Sequence, residues 1–226
     1  MANVRPLPHR ANVAAADTNK IIRNTYMLLS LTMLASTVTA GISMAINPPF
    51  MVYLGSVILS FVMLFILHRK QNSAAALPLT FAFTGLLGFG LGPILNHYLA
   101  LPNGGQIVAT ALGMTAITFF GLSAYVLTSR KDFSFMGGFL AAGMMVVLIA
   151  MVALFVLPMF GVNVSGMHLA FSAVVVLLMA GFVLYDTSNI VHGYYTNYVM
   201  ATVSLYLSIY NLFVHLLSLV GAFSDD

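Results

Sequence analysis

Cysteine and glutamate are absent, and the 226 residues carry only five acidic and eight basic side chains. Without cysteine there are no disulfides, no thiolate metal sites and no cysteine nucleophile. Charged residues are 6% of the chain, against roughly 25% in soluble domains, so the sequence cannot cover a water-facing surface. With 61% hydrophobic residues, it reads as an all-α integral membrane protein of one domain. A β-barrel does not fit, because no ten-residue alternating pattern occurs. The net charge of +3 is small and scattered, which speaks against nucleic acid as a partner and leaves the lipid bilayer as the expected surroundings.

The few charges divide the chain. No Lys, Arg, Asp or Glu occurs in 24–68, 71–129, 133–185 or 187–224. One helical span needs about 20 apolar residues, so the first three stretches hold two helices each and the last holds one. The long stretches break at "INPPF" (46–50), "LPNGGQ" (101–106) and "FGVNVSG" (160–166), as helical hairpins require. Seven helices are therefore expected near 24–46, 50–68, 76–100, 106–128, 134–158, 166–189 and 198–223. Residues 1–23 read as a flexible cytoplasmic tail ahead of a transmembrane domain at 24–226. Arg5, Arg10, Lys20, Arg23, Arg69, Lys70, Arg130 and Lys131 then all fall on one side, which predicts a cytoplasmic N-terminus and a periplasmic C-terminus.

Polar residues inside the spans are the functional candidates. In helix 7, Ser204, Ser208, Asn211, His215 and Ser218 recur every three or four residues and so share one stripe. The stripe reads either as packing glue between helices or as a hydrated path. Helix 6 carries His168, Ser172 and Asp186 near one face. Asp186 is either a functional carboxylate or a structural boundary group, level with Arg69 and Arg130. As a latch it would pair with one of these arginines when ionised and release it when protonated. In helix 3, Gly85, Gly88, Gly90 and Gly92 precede Pro93, a pattern for close helix contact and a kink. The 15 methionines are scattered among leucines and read as core filling. "YYTNY" (194–198) reads as an interfacial aromatic anchor, and His9, His68, His97 and His192 support no claim.

Catalytic patterns are missing. The sequence has no metalloprotease motif and no phosphate-binding glycine loop. "NVSG" at Ser165 has Asn163 where an intramembrane serine protease would place glycine. No lysine follows Lys131, so a retinal Schiff base in a late helix is excluded. The expectation is a protein that is not an enzyme and binds no cofactor.

The stretches "IRNTYMLLSLTM" (22–33), "FAFTGLLGFGLGPILN" (81–96), "SAYVLTSRKDFSFMGG" (123–138), "LYDTSNIVHG" (184–193) and "TNYVMATVSLYLSIYNLF" (196–213) resemble the Bax inhibitor-1 family of seven-helix membrane proteins. The resemblance covers residues 20 to 223 and implies a fold with helix 7 at the centre and six helices around it. It implies two functions. One bacterial branch of the family modulates the membrane-anchored AAA protease FtsH in the inner membrane, which would make the FtsH complex a partner and residues Arg5, Arg10, Asp17 and Lys20 part of a handle for competitive inhibition. Other members are pH-sensitive calcium leaks, with calcium or protons as partners and an aspartate pair on helices 6 and 7. Asp186 matches the first aspartate and Arg69 its arginine partner, but Ser208 stands in place of the second aspartate. Calcium prefers six to eight oxygen ligands, and a single carboxylate supplies few of them.

Overall fold

Residues 8–224 are described by a computed structural model, with side chains over 17–164 and 166–224. Helix α1 runs Pro8–Ile46. Its start differs from the expected tail to residue 23. Pro8 stands at the first helical position, where its missing N–H costs nothing, and the four alanines of "ANVAAAD" are strong helix formers. The apolar part of α1 is Asp17–Ile46. The helix ends where Asn47 turns to φ 52° and donates to the Ser43 carbonyl at 2.9 Å, followed by two prolines that cannot continue it.

The later helices follow the expected spans within a few residues: α2 (Met51–Lys70), α3 (Ala76–Leu99), α4 (Gly104–Ser129), α5 (Gly137–Val156), α6 (Ser165–Val191) and α7 (Tyr198–Ser224). Short 3-10 turns at Ser134–Met136 and Leu157–Phe160 flank α5. Among the described residues, seven helices are long and apolar enough to cross a membrane. The chain is a seven-span, all-α membrane protein.

Helix α7 is the buried centre. Fourteen of its 27 residues are buried, because α1, α3, α4 and α6 all pack on it. The other two helices lie one layer out, α2 against α3 and α5 against α6, so four helices rather than six form the ring around α7. The outer pair presents large apolar side chains outward, among them Phe61, Phe65, Phe139 and Ile149.

Close approach of α3 to α1 depends on glycine. A Cβ at Gly88 would collide with the Ser36 carbonyl, and one at Gly92 would collide with the Ser43 side chain. Helix α3 continues through Pro93, which is buried within it. A polar pin closes the same interface from the centre: the Tyr206 hydroxyl of α7 donates to the Thr84 carbonyl at 3.1 Å and pairs with the Ser36 hydroxyl at 2.5 Å. Buried hydroxyls require such partners, and this pair ties α1, α3 and α7 together.

Asn197 sets where α7 begins. Its side-chain oxygen accepts from the Val199 and Met200 N–H groups at 2.8 and 3.3 Å, the geometry of an N-cap. Its amide nitrogen donates to the Gln71 carbonyl and the Asn72 side chain at 2.9 and 2.8 Å, which fixes α7 to the α2–α3 connection.

Candidate functional site

Asp186 lies five residues before the end of α6 and faces α7, with 1% of its surface exposed. Ser204 of α7 donates to one carboxylate oxygen at 2.7 Å, and Tyr195 of the α6–α7 connection donates to the other at 3.0 Å. The connection can reach back because Gly193, at φ 74°, turns the chain as α6 ends, while Asn189's carbonyl accepts from the Tyr194 and Tyr195 N–H groups. Burial first, and then the adjacent Asp186 carboxylate, hold the Tyr195 phenol above its ordinary range. It is therefore a hydroxyl donor throughout the physiological pH range.

The expected pairing of Asp186 with Arg69 or Arg130 is corrected by this geometry. Among the described residues, both carboxylate oxygens are taken by hydroxyls and no ion pair reaches them. Arg69 instead lies over the Phe65 ring at 4.4 Å, a cation–π contact at the end of α2. Arg130 caps α4 in the left-handed region, at φ 50°. The reason is depth and direction: Asp186 points into the bundle, whereas the arginines stand at helix ends with long stems that keep their charge outward.

Above Asp186 a pocket of ≈ 500 Å³ is lined by Ser134, Tyr185, Asn189, Tyr194 and Tyr195. Tyr195 both lines this pocket and donates to the Asp186 carboxylate. One wall is the α4–α5 connection, held by several bonds. Asp132 accepts from the Ser134 N–H at 2.8 Å and from the Tyr194 hydroxyl at 3.2 Å. Ser188 accepts from the Phe133 N–H at 2.8 Å. The His192 ring lies between the Ser188 and Arg130 carbonyls, its nitrogens at 2.9 and 3.2 Å, and the single N–H of the neutral ring donates to one of them. The Ser134 amide, reinforced by the Tyr194 hydroxyl, holds the Asp132 carboxyl below the usual carboxylate range.

The polar stripe of α7 faces α6. Ser204 meets Asp186, and His215 pairs with Ser172 at 3.1 Å. Ser208 is buried, Asn211 donates to its own helix at the Leu207 carbonyl, and Ser218 is half-buried. His168 is exposed and does not join Ser172 and Asp186. Of the expected handle residues, Asp17 and Lys20 are exposed on α1; Arg5 and the Arg10 side chain lie outside the described residues. Among the described residues, no three His, Cys, Asp or Glu side chains converge as metal ligands.

The residues around Asp186 coincide with the most distinctive sequence stretches, "LYDTSNIVHG" and "TNYVMATVSLYLSIYNLF". The sequence profile of the family described as "Inhibitor of apoptosis-promoting Bax1" matches residues 18–225. The chain belongs to this Bax inhibitor-1 family. Among its relatives, the Escherichia coli K12 protein named "Modulator of FtsH protease YccA" is 48% identical over 210 residues, covering 93% of each chain. A protein of another Escherichia coli strain, named "Inner membrane protein YccA", matches to the same extent. A Vibrio cholerae membrane protein is 46% identical over 212 residues, covering 93% of this chain and 92% of its own. The family match includes α1 from residue 18 and the whole α6–α7 site.

Proposed function

We propose that this protein is an inner-membrane modulator of the FtsH protease, inhibiting it by competition with other membrane substrates. The observation that carries this reading is the 48% identity to the YccA modulator over 93% of both chains. Its physical form supports the same reading. A bundle pinned at Tyr206, Asn197 and Asp186 resists extraction from the membrane, while α1 extends from Pro8 ahead of its apolar part at Asp17–Ile46. Residues 1–23 then serve as the handle, with Arg5, Arg10, Asp17 and Lys20 in it. The basic residues at one end of the bundle favour a cytoplasmic N-terminus and a periplasmic C-terminus, which puts the handle on the side where an AAA motor would grip it.

Deleting residues 3–18 tests the mechanism. The truncated protein is expected to keep its fold and lose inhibition of FtsH in a membrane-substrate degradation assay. Full inhibition by a folded, truncated protein would contradict the handle.

The second reading is a cation leak centred on Asp186. It draws on the pocket lined by Tyr195, whose hydroxyl donates to that carboxylate. Against it stand the hydroxyl partners of Asp186 and the serine at 208. Calcium and proton flux into liposomes from pH 5 to 8 distinguishes the readings: flux that Asp186→Asn abolishes would make the leak primary.

A further inference from the structure

Helices α1 and α4 both pack on α7, and a slot of ≈ 410 Å³ runs between them. Tyr26 of α1 and Phe119 of α4 flank one end of it, with ring centroids 6.3 Å apart. Met33 and Ala40 continue one wall, Ala116 the other, and Ile209 of α7 forms part of the floor. At 1.5 Å per residue, the wall from Tyr26 to Ala40 is about 21 Å long. Spread over that length, the slot has a mean section on the order of 20 Å², far narrower than a helix of ~10–12 Å diameter. It suits a single hydrocarbon chain. Its length exceeds the roughly 15 Å that half of a bilayer's hydrocarbon core offers.

Three hydroxyls along the slot are already spent, while those of Tyr26 and Tyr210 are buried without a partner among the described residues. Ser30 donates to the Tyr26 carbonyl at 2.9 Å, Thr37 to the Met33 carbonyl at 2.9 Å, and Thr115 to the Ala111 carbonyl at 2.7 Å. Apart from the two tyrosine hydroxyls, the lining offers few groups to replace a polar ligand's hydration, so it favours a mainly apolar one. Only one end of the slot offers charge. Positions 26, 30, 33, 37 and 40 of α1 recur every three or four residues, and the same stripe one turn outward is Arg23. Arg23 is exposed, and Lys20 stands a further turn along the same side. A guanidinium at the mouth of an apolar slot is matched by a phosphate attached to a hydrocarbon chain.

We propose that this slot is a lipid site: one acyl chain of a membrane glycerophospholipid lies between α1 and α4, with its phosphate on Arg23. The acyl chain lies along the groove between the two helices, with Ile209 and Tyr210 of α7 beneath it. Nothing in this assignment depends on the protease.

Phosphatidylglycerol with a spin-labelled acyl chain, added to the purified full-length protein, tests the site. The wild type is expected to immobilise one lipid per chain. Ala116→Phe and Thr37→Phe, which fill the slot from opposite walls, are each expected to lower that fraction at least fivefold. Ile117→Phe, on the outward face of α4 with 76% exposure, is expected to leave it unchanged. Arg23→Gln is expected to abolish the preference for phosphatidylglycerol over a diacylglycerol of the same chains. Melting temperatures identify any variant that fails to fold, and the two filling variants are independent of each other. Equal immobilisation by wild type and a folded filling variant, or no wild-type preference for the phosphate, would overturn the proposal.

Discussion

Ser204 of α7 donates a 2.7 Å hydrogen bond to the Asp186 carboxylate of α6. With Tyr195 on the other oxygen, one buried side chain joins a helix, its neighbour and the connection between them. Removing the acceptor strands two hydroxyls, each worth about 1–3 kcal/mol if left unsatisfied in a buried site. Asp186→Ala is therefore expected to lower stability by a few kcal/mol, and Asp186→Asn by less, since its amide keeps one oxygen acceptor. Thermal melting of the purified variants measures the order; equal melting of Ala and wild type would show that the cluster contributes nothing to the fold.

Glycine at 88 and glycine at 113 predict opposite outcomes from one substitution. A Cβ at Gly88 meets the Ser36 carbonyl, whereas one at Gly113 meets nothing within 4 Å. Gly88→Ala must push α1 and α3 apart and is expected to cost about 1–3 kcal/mol, as overpacking does. Gly113→Ala gains roughly 0.5–1 kcal/mol from helix propensity alone. Melting temperatures of the two variants should move in opposite directions.

Acid should loosen the α4–α5 connection through Asp132. The folded state depresses the Asp132 carboxyl, chiefly through the Ser134 amide. A depressed carboxyl contributes stability above its unfolded value, about 3.9, and loses it as pH falls through the folded value. Hydrogen exchange at Phe133 and Ser134 is thus expected to show no Asp132-dependent change from pH 8 to 5, and less protection at pH 3 to 4. Asp132→Asn should remove that transition; a variant that retains it would assign the loosening to another group.

The spans were legible because charge is so scarce: gaps between the few Lys, Arg and Asp residues mark the helix pairs, and the Pro-, Gly- and Asn-containing breaks divide them. Asp186 was legible for the same reason, as a carboxylate ending an apolar run. Its partners were not. A sequence shows that Arg69 and Arg130 share a level with Asp186, but not that Asp186 points inward and they point out. Tyr195 reads as part of an aromatic belt, and only the turn at Gly193 returns it to Asp186. Tyr206 was hidden because an aromatic residue among leucines gives no polar signal, although its hydroxyl pins three helices. Asn197 carried a readable cue, an N-cap residue immediately before an apolar helix. His192, which holds the α4–α5 connection, carried none: its partners are backbone carbonyls. The stretch before residue 24 reads as a tail from its two prolines, and the start of α1 at Pro8 gives no periodic apolar signal there.

The most direct test of the proposed function is the rate at which FtsH degrades a membrane substrate in proteoliposomes, with and without this protein at equal, verified incorporation. Competitive modulation predicts slower degradation as the protein is added, relieved by raising the substrate concentration. An unchanged rate in the presence of folded, co-reconstituted protein would contradict it.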